Sequence, residues 1–301
     1  PARHTSLATD MRAETLGLDG LMERAHKYAA LGATFAKWRA VYRVVQQAEG
    51  GMASTSSGSS SSDGSQSCSA SGMGDNVHHD ASSGSTCSLP EQHEGDAATT
   101  TTLLLPSQAA ITVNAQQLAE YAAVAQAAGL VPIVEPEVLC GEGVHGIEAC
   151  AQATAQVLRA VFVELKHKQV DLSATILKPN MVLSGAAGPE ATHDEVAGRT
   201  LDVLLEAVPA EVGGIAFLSG GQSEEEACAR LALMVRDPRH KPWPLTFSFG
   251  RALQTSALLE WSKGNKEAGK TGPKPGVYDY DAAARHVFLH RVESCAAGLA
   301  A

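Results

Sequence analysis

No apolar run in these 301 residues approaches the length needed to cross a bilayer, so a helical membrane span is not the organising feature. Cations are in the minority: 23 Lys and Arg stand against 33 Asp and Glu, a net charge of -10. That balance argues against nonspecific nucleic-acid binding and against an anionic membrane surface, because both need clustered positive charge. A few local cations can still hold an anionic substrate. Cysteine pairs at motif spacing are missing too. The six cysteines, at 68, 87, 140, 150, 228 and 295, include no Cys-x-x-Cys and no zinc-type spacing, which suits a reducing compartment and ordinary thiols. The chain opens at Pro1 with neither an initiating methionine nor a signal-peptide pattern. It reads as a fragment whose targeting segment, where one exists, lies upstream; the cytoplasm is the expected compartment, with a plastid still open.

The 44% hydrophobic fraction is ordinary for a globular chain and leaves enough apolar residues for a large core even after a polar tract is set aside. That tract runs from about residue 49 to 102. Between Gly51 and Thr100 its only larger apolar residues are Met52, Met73, Val77 and Leu89, so it cannot offset its ordering entropy by burial and is expected to be disordered. It divides the chain into residues 1–48, an insertion over 49–102, and 103–301. His78, His79, Asp80 and His93 fall inside it, where a solvated polar tract is favoured over a metal site.

Outside the insertion, strands alternate with helices. A helix is expected over Leu18–Gly32 with Asp19 as N-cap, then a strand through Phe35 to Tyr42. Asn114 to Gly129 reads as a helix, Leu130–Val134 as a buried strand, and Ile147–Lys168 as a long helix. Ser173 to Leu177 is a short apolar, β-branched strand that ends at Lys178 and is stopped by Pro179. Thr192 and Glu195 form a capping box, as do Ser223 and Glu226. Gly214–Ser219 and Leu245–Phe249 are further strands. Gln254–Trp261 and Asp279–Ala297 are helices.

Each strand delivers a polar residue at its carboxyl end. Lys37 and Arg39 lie two apart, so they face one side of a strand, either as a solvated edge or as an anion site. Glu135 and Glu137 are either loop carboxylates or an acid–base pair with one member raised by burial. Ser219-Gly220-Gly221 before a helix N-terminus is either a tight turn or an anion cradle. Gly250-Arg251 repeats the glycine–cation theme. Lys178 is either a lysine escaping at a strand end or a nucleophile freed of its charge, a state that Lys37 nearby would favour. Five such ends on one side of a parallel sheet is how a (β/α)8 barrel builds its catalytic face, and this joint pattern favours the functional alternative in each case.

The motifs Phe-Ala-Lys37-Trp-Arg39, Val-Pro-Ile-Val-Glu135-Pro-Glu137, Leu-Lys178-Pro-Asn-Met-Val, Phe-Leu-Ser219-Gly-Gly-Gln-Ser-Glu-Glu-Glu and Phe-Gly250-Arg251-Ala-Leu-Gln resemble those of class I fructose-bisphosphate aldolases, in family order. Gly17-Leu-Asp-Gly-Leu and Lys241-Pro-Trp-Pro-Leu-Thr-Phe-Ser-Phe add to the match. The resemblance implies an α/β fold, a TIM barrel seen here as a partial barrel without about its first three strands. Those strands would carry an aspartate base and a further lysine. It also implies a metal-independent, cofactor-free cleavage of fructose 1,6-bisphosphate through a lysine Schiff base, and a homotetramer. In that scheme Lys178 attacks the carbonyl of a phosphorylated ketose and Glu135 transfers protons, while Glu137 and Lys37 shape the charge. Arg39 belongs to the substrate pocket, and Ser219, Gly220, Gly221, Gly250 and Arg251 clamp the sugar phosphate. The alternatives are a noncatalytic aldolase-like fragment that binds partners and a metal-dependent lyase. The second is disfavoured because the histidines cluster in the low-complexity tract.

Overall fold

The computed structural model describes residues 5–6, 13–14, 16–47, 102–104, 106–139, 143–271 and 279–300. The tract expected to be disordered lies outside them, with Cys68, Cys87 and its histidines, except that Thr102 begins a strand. In chain order the elements are β1 (Thr5–Ser6), β2 (Ala13–Glu14), α1 (Leu21–Ala30), β3 (Phe35–Arg43), β4 (Val45–Gln47), β5 (Thr102–Leu104), α2 (Gln108–Ala127) and β6 (Val131–Leu139). Then follow α3 (Ile147–His167), a 3-10 turn over Leu172–Ala174, β7 (Ile176–Leu177), α4 (His193–Ala207) and β8 (Gly214–Phe217). The chain closes with α5 (Glu224–Arg236), β9 (Leu245–Phe247), α6 (Arg251–Thr271) and α7 (Tyr280–Ala297).

Five of these strands form one parallel sheet in the order β3-β6-β7-β8-β9, each the next in the chain after a helical crossover. Parallel neighbours need such crossovers, and a sheet that adds each new strand on the same side is the wall of a (β/α) barrel. The fold is therefore a partial barrel of the expected class. The outward side chains Val134, Leu177, Ile215 and Phe217 are fully buried under the helices. Leu118, Leu158, Val161, Leu165, Leu201 and Leu204 meet them from α2, α3 and α4. Burying each such side chain contributes about 1.5–3 kcal/mol, so this outer layer holds the sheet while the inner side is left to polar groups. β4 and β5 pair antiparallel, joining the two ends of the chain that flank the insertion.

Both capping boxes read from the sequence are formed, at Thr192/Glu195 and Ser223/Glu226. The backbone N–H of Ser223, foremost, holds the Glu226 carboxyl below the usual range. Four local expectations are corrected. The N-cap of α1 is Gly20, with a left-handed φ of 63°, while the Asp19 carbonyl accepts a bond from Arg24. α2 starts at Gln108, capped by Ser107, because Ile111 and Ala115 are buried there and packing overrides the β-branched Thr112 and Val113. β6 runs past Val134 through Pro136 to Leu139. Even-numbered residues of β6 face β7 with their N–H groups and odd ones face β3, so the proline leaves the β3 ladder intact. β7 is shortened to two residues because Asp171 caps the preceding turn.

The expectation of ordinary thiols is also corrected. Cys228 of α5 and Cys295 of α7 form a disulfide, their Cα atoms 5.1 Å apart across 67 residues of sequence. One turn earlier on both helices, Arg291 reaches Glu224 at 3.2 Å, so α7 lies beside α5 in parallel register. The pairing is tertiary, and no sequence spacing announces it. In the chain-entropy view, closing a loop of this length is worth about 4 kcal/mol. Peptide mapping without reductant should recover Cys228 linked to Cys295, and dithiothreitol should lower the denaturation midpoint. Two free thiols at these positions would contradict the pairing.

Candidate active site

The inner side of the sheet carries a charged cluster within β3 and β6 and at the end of β7. Glu135 lies between two ammonium groups: Lys37 donates to its Oε2 at 2.6 Å, and Lys178 stands 3.3 Å from Oε1. The register explains this arrangement. Arg39 is directly opposite Glu135 on β3, and the pairing of Val134 with Leu177 sets Lys178 opposite it on the other side. Lys37, one pleat lower, leans along its strand to reach the carboxylate, as strand side chains do. Arg39 leans the same way and donates to Glu137. Both carboxylates are buried, and the Lys178 side chain is only 12% exposed, whereas Lys37 and Arg39 are about half-open to solvent. A buried carboxylate without partners would be costly, so each glutamate is tied to a cation from β3.

The backbone around Lys178 is held on both sides. Its N–H donates to the Val134 carbonyl at 2.8 Å, and the Pro179 carbonyl accepts from Leu218 at 3.1 Å. By the same register Ala216, a small residue, is the inward neighbour of Lys178 on β8.

At the end of β8, Ser219 is buried and its Oγ accepts from the N–H of Ala252 in the first turn of α6. Gly220 passes so close to Glu137 that an added Cβ would stand 2.8 Å from Oε1 and 3.7 Å from Arg251 Nη2. Any side chain at this position would require the Glu137 carboxylate to shift. Gly221 follows with φ of +76°, the left-handed region that glycine adopts without strain. At Gly250 an added Cβ would meet open space, so no comparable packing demand exists there. Arg251 opens α6 and shares a pocket of about 490 Å³ with Gly221, Gln222, Ser223, Thr255 and Ser256. The N-termini of α5 and α6 meet in it, and Glu224 beside them is already taken up by the N–H and hydroxyl of Ser256. Two helix N-termini and a guanidinium together suit a phosphate.

Of the ten residues singled out from the sequence, Lys178, Ser219, Gly220, Gly221, Gly250 and Arg251 directly follow their strands, whereas Lys37 and Arg39 lie inside β3 and Glu135 and Glu137 inside β6, because those two strands run on to Arg43 and Leu139. Lys178, Glu135, Lys37, Arg39 and Glu137 form one charged cluster. Gly220 touches both that cluster and the pocket that holds Gly221 and Arg251. Sequence reasoning passed over Asn180, a buried amide within an otherwise apolar Pro-Asn-Met-Val run. That mismatch is the signal that would have found it. Among the described residues no group of three or more His, Cys, Asp or Glu side chains is placed to share a metal ion. Among them, too, no helix is long and apolar enough to cross a membrane.

Comparison with known proteins agrees with this geometry. The family model described as glycolytic, fructose-bisphosphate aldolase class-I, matches residues 4–77 and 98–277. Fructose-bisphosphate aldolase B of Gallus gallus is 41% identical over 257 residues, covering 84% of this chain and 55% of that protein. The fructose-bisphosphate aldolase of Dictyostelium discoideum is 37% identical over 286 residues, covering 95% and 60% respectively. The chain thus spans 55% to 60% of the length of these curated relatives. The fructose-bisphosphate aldolase of Plasmodium falciparum, solved in complex with TRAP and a small-molecule inhibitor, superposes with a TM-score of 0.70 at 35% identity. That superposition covers 98% of this chain and 65% of the other. With the family model matched over most of its length, the chain belongs to the class-I fructose-bisphosphate aldolase family.

Proposed function

We propose that this chain carries the Schiff-base half of an aldolase site, and that the protein containing it cleaves fructose 1,6-bisphosphate reversibly to glycerone phosphate and glyceraldehyde 3-phosphate. The observation that carries this reading is the buried Glu135 carboxylate, shared by Lys37 and Lys178. Lys178 Nζ, as the free amine, adds to the C2 carbonyl of the ketose and gives a carbinolamine. Glu135, within reach of that nitrogen, delivers a proton to the departing hydroxyl, and water leaves as the iminium forms. The iminium then accepts the electron pair of the C3–C4 bond as the 4-hydroxyl loses its proton to a base, releasing the aldehyde. Protonation of the resulting enamine at C3 and hydrolysis of the imine return glycerone phosphate and the free lysine. Lys37 keeps a positive charge beside Glu135 through these exchanges, and Glu137 with Arg39 forms the polar wall beside them.

The second half of the proposal concerns the phosphate. Ser219, Gly220, Gly221, Gly250 and Arg251 hold it at the joined N-termini of α5 and α6, with the guanidinium as the one formal cation. The homotetramer and the cytoplasmic or plastid setting implied by the family likeness belong to this proposal.

Two outcomes test it. Borohydride added to the protein with glycerone phosphate should leave a reduced adduct on the peptide containing Lys178, and Lys178→Arg should abolish both label and turnover, since a guanidinium stays protonated. Label on another lysine would sink the assignment, as would none in an active protein. Arg251→Ala should raise KM for the bisphosphate by about ten- to a hundredfold, the span of a lost charge-assisted contact. Ketoses without phosphate should respond far less. An equal loss on both would remove Arg251 from the clamp.

A further inference from the structure

We propose that Asn180 is a positioning residue that fixes Lys178 against Glu135 by restitching the seam between their two strands, an inference that rests on the Schiff-base reading above. The argument begins with a gap. In a parallel ladder the donor and acceptor roles alternate along each strand at two-residue steps. The Lys178 N–H donates to the Val134 carbonyl, so the next rung would run from residue 136 to the Lys178 carbonyl. Residue 136 is a proline and has no N–H to give. Pro179, on the other side of the lysine strand, removes a second rung, the one toward β8. The catalytic lysine therefore sits where regular pairing fails on both sides.

Asn180 supplies the rung just beyond the first of these gaps. Its side-chain Oδ1 accepts the backbone N–H of Val138 at 3.0 Å, where a continuing ladder would have used the main-chain carbonyl of residue 180. Val138 directly follows Glu137 and lies three residues past Glu135. Asn180 lies two past Lys178. One buried amide thus ties the carboxylate strand to the lysine strand just above the reacting groups. The amide is itself pinned, since Nδ2 donates to the Met181 carbonyl at 3.0 Å and to Thr154 Oγ1 at 3.2 Å, in the middle of α3. Asn180 is 2% exposed and Thr154 is equally buried, so neither competes with water for these bonds. An aspartate in this place would keep the acceptor but lose both donors and bury a charge near Glu137. Alanine loses all three bonds.

The two variants Asn180→Ala and Thr154→Val separate positioning from mere stability. Thr154→Val removes one anchor of the amide and leaves the Val138 bond in place. Asn180→Ala should lower kcat about ten- to a hundredfold with KM changed less than about twofold, the size of effect a small misplacement of reacting groups produces. The borohydride-trapped adduct should still form on Lys178, but more slowly. Thr154→Val should lower the melting temperature while keeping kcat within about twofold. If both variants lose kcat in proportion to their loss of stability, or if Asn180→Ala acts on KM alone, the positioning role is overturned. Failure of the unsubstituted protein to label Lys178 would instead overturn the Schiff-base reading, so the two failures are distinguishable. Should Asn180→Ala not fold, Asn180→Ser serves, with the same kcat-against-KM split deciding.

Discussion

Glu135 is a carboxylate removed from water and held between two ammonium groups, and much of the surrounding structure follows from keeping it so. Its solvation is replaced by Lys37 from one neighbouring strand and Lys178 from the other. Taking away one partner of a buried charge pair costs several kcal/mol, because the remaining charge stays buried and uncompensated. The three strands that deliver these groups must therefore keep a fixed register. A slip of one residue would turn the carboxylate into the apolar helix layer and bring Val134 or Pro136 to the inner side. The apolar outer face, with Leu177, Ile215 and Phe217 packed under helices, opposes any such slip.

The same strands carry two prolines where the chemistry is concentrated. Pro136 and Pro179 each lack the N–H that a ladder would use, yet the Pro179 carbonyl still accepts from Leu218 and the Asn180 side-chain amide bonds Val138. The phosphate pocket is coupled to this arrangement by contact alone. Gly220 lies between Glu137 and Arg251, so the cradle at the start of α5 is built against the carboxylate strand rather than apart from it. α7 then fastens onto α5 through Arg291 and Cys295, which steadies the helix whose N-terminus lines the pocket.

Much of this was legible before any coordinates. Strand ends were marked by Lys178-Pro179 and Gly220-Gly221, because prolines and glycines punctuate chains for local steric reasons. Capping boxes at Thr192 and Ser223 were equally local and equally visible. What escaped was non-local. The continuation of β6 beyond Pro136 depends on which side of the strand lacks its hydrogen bond, and that is known only once β3 and β7 are in place. The early start of α2 comes from the burial of Ile111 and Ala115, which propensity does not encode. Cys228 and Cys295 meet through two helices packed side by side. Asn180 needed the same kind of context, since an isolated asparagine after a proline reads as a turn residue until the strand beside it is seen.

The most direct test of this account is the structure of the protein soaked with glycerone phosphate. The account predicts a continuous bond from Lys178 Nζ to C2 of the ligand, Glu135 within hydrogen-bonding distance of that carbon's substituents, and the phosphate between Gly221 and Arg251. A ligand bound elsewhere, or a Lys178 turned away from C2 with Glu135 paired only to Lys37, would contradict it.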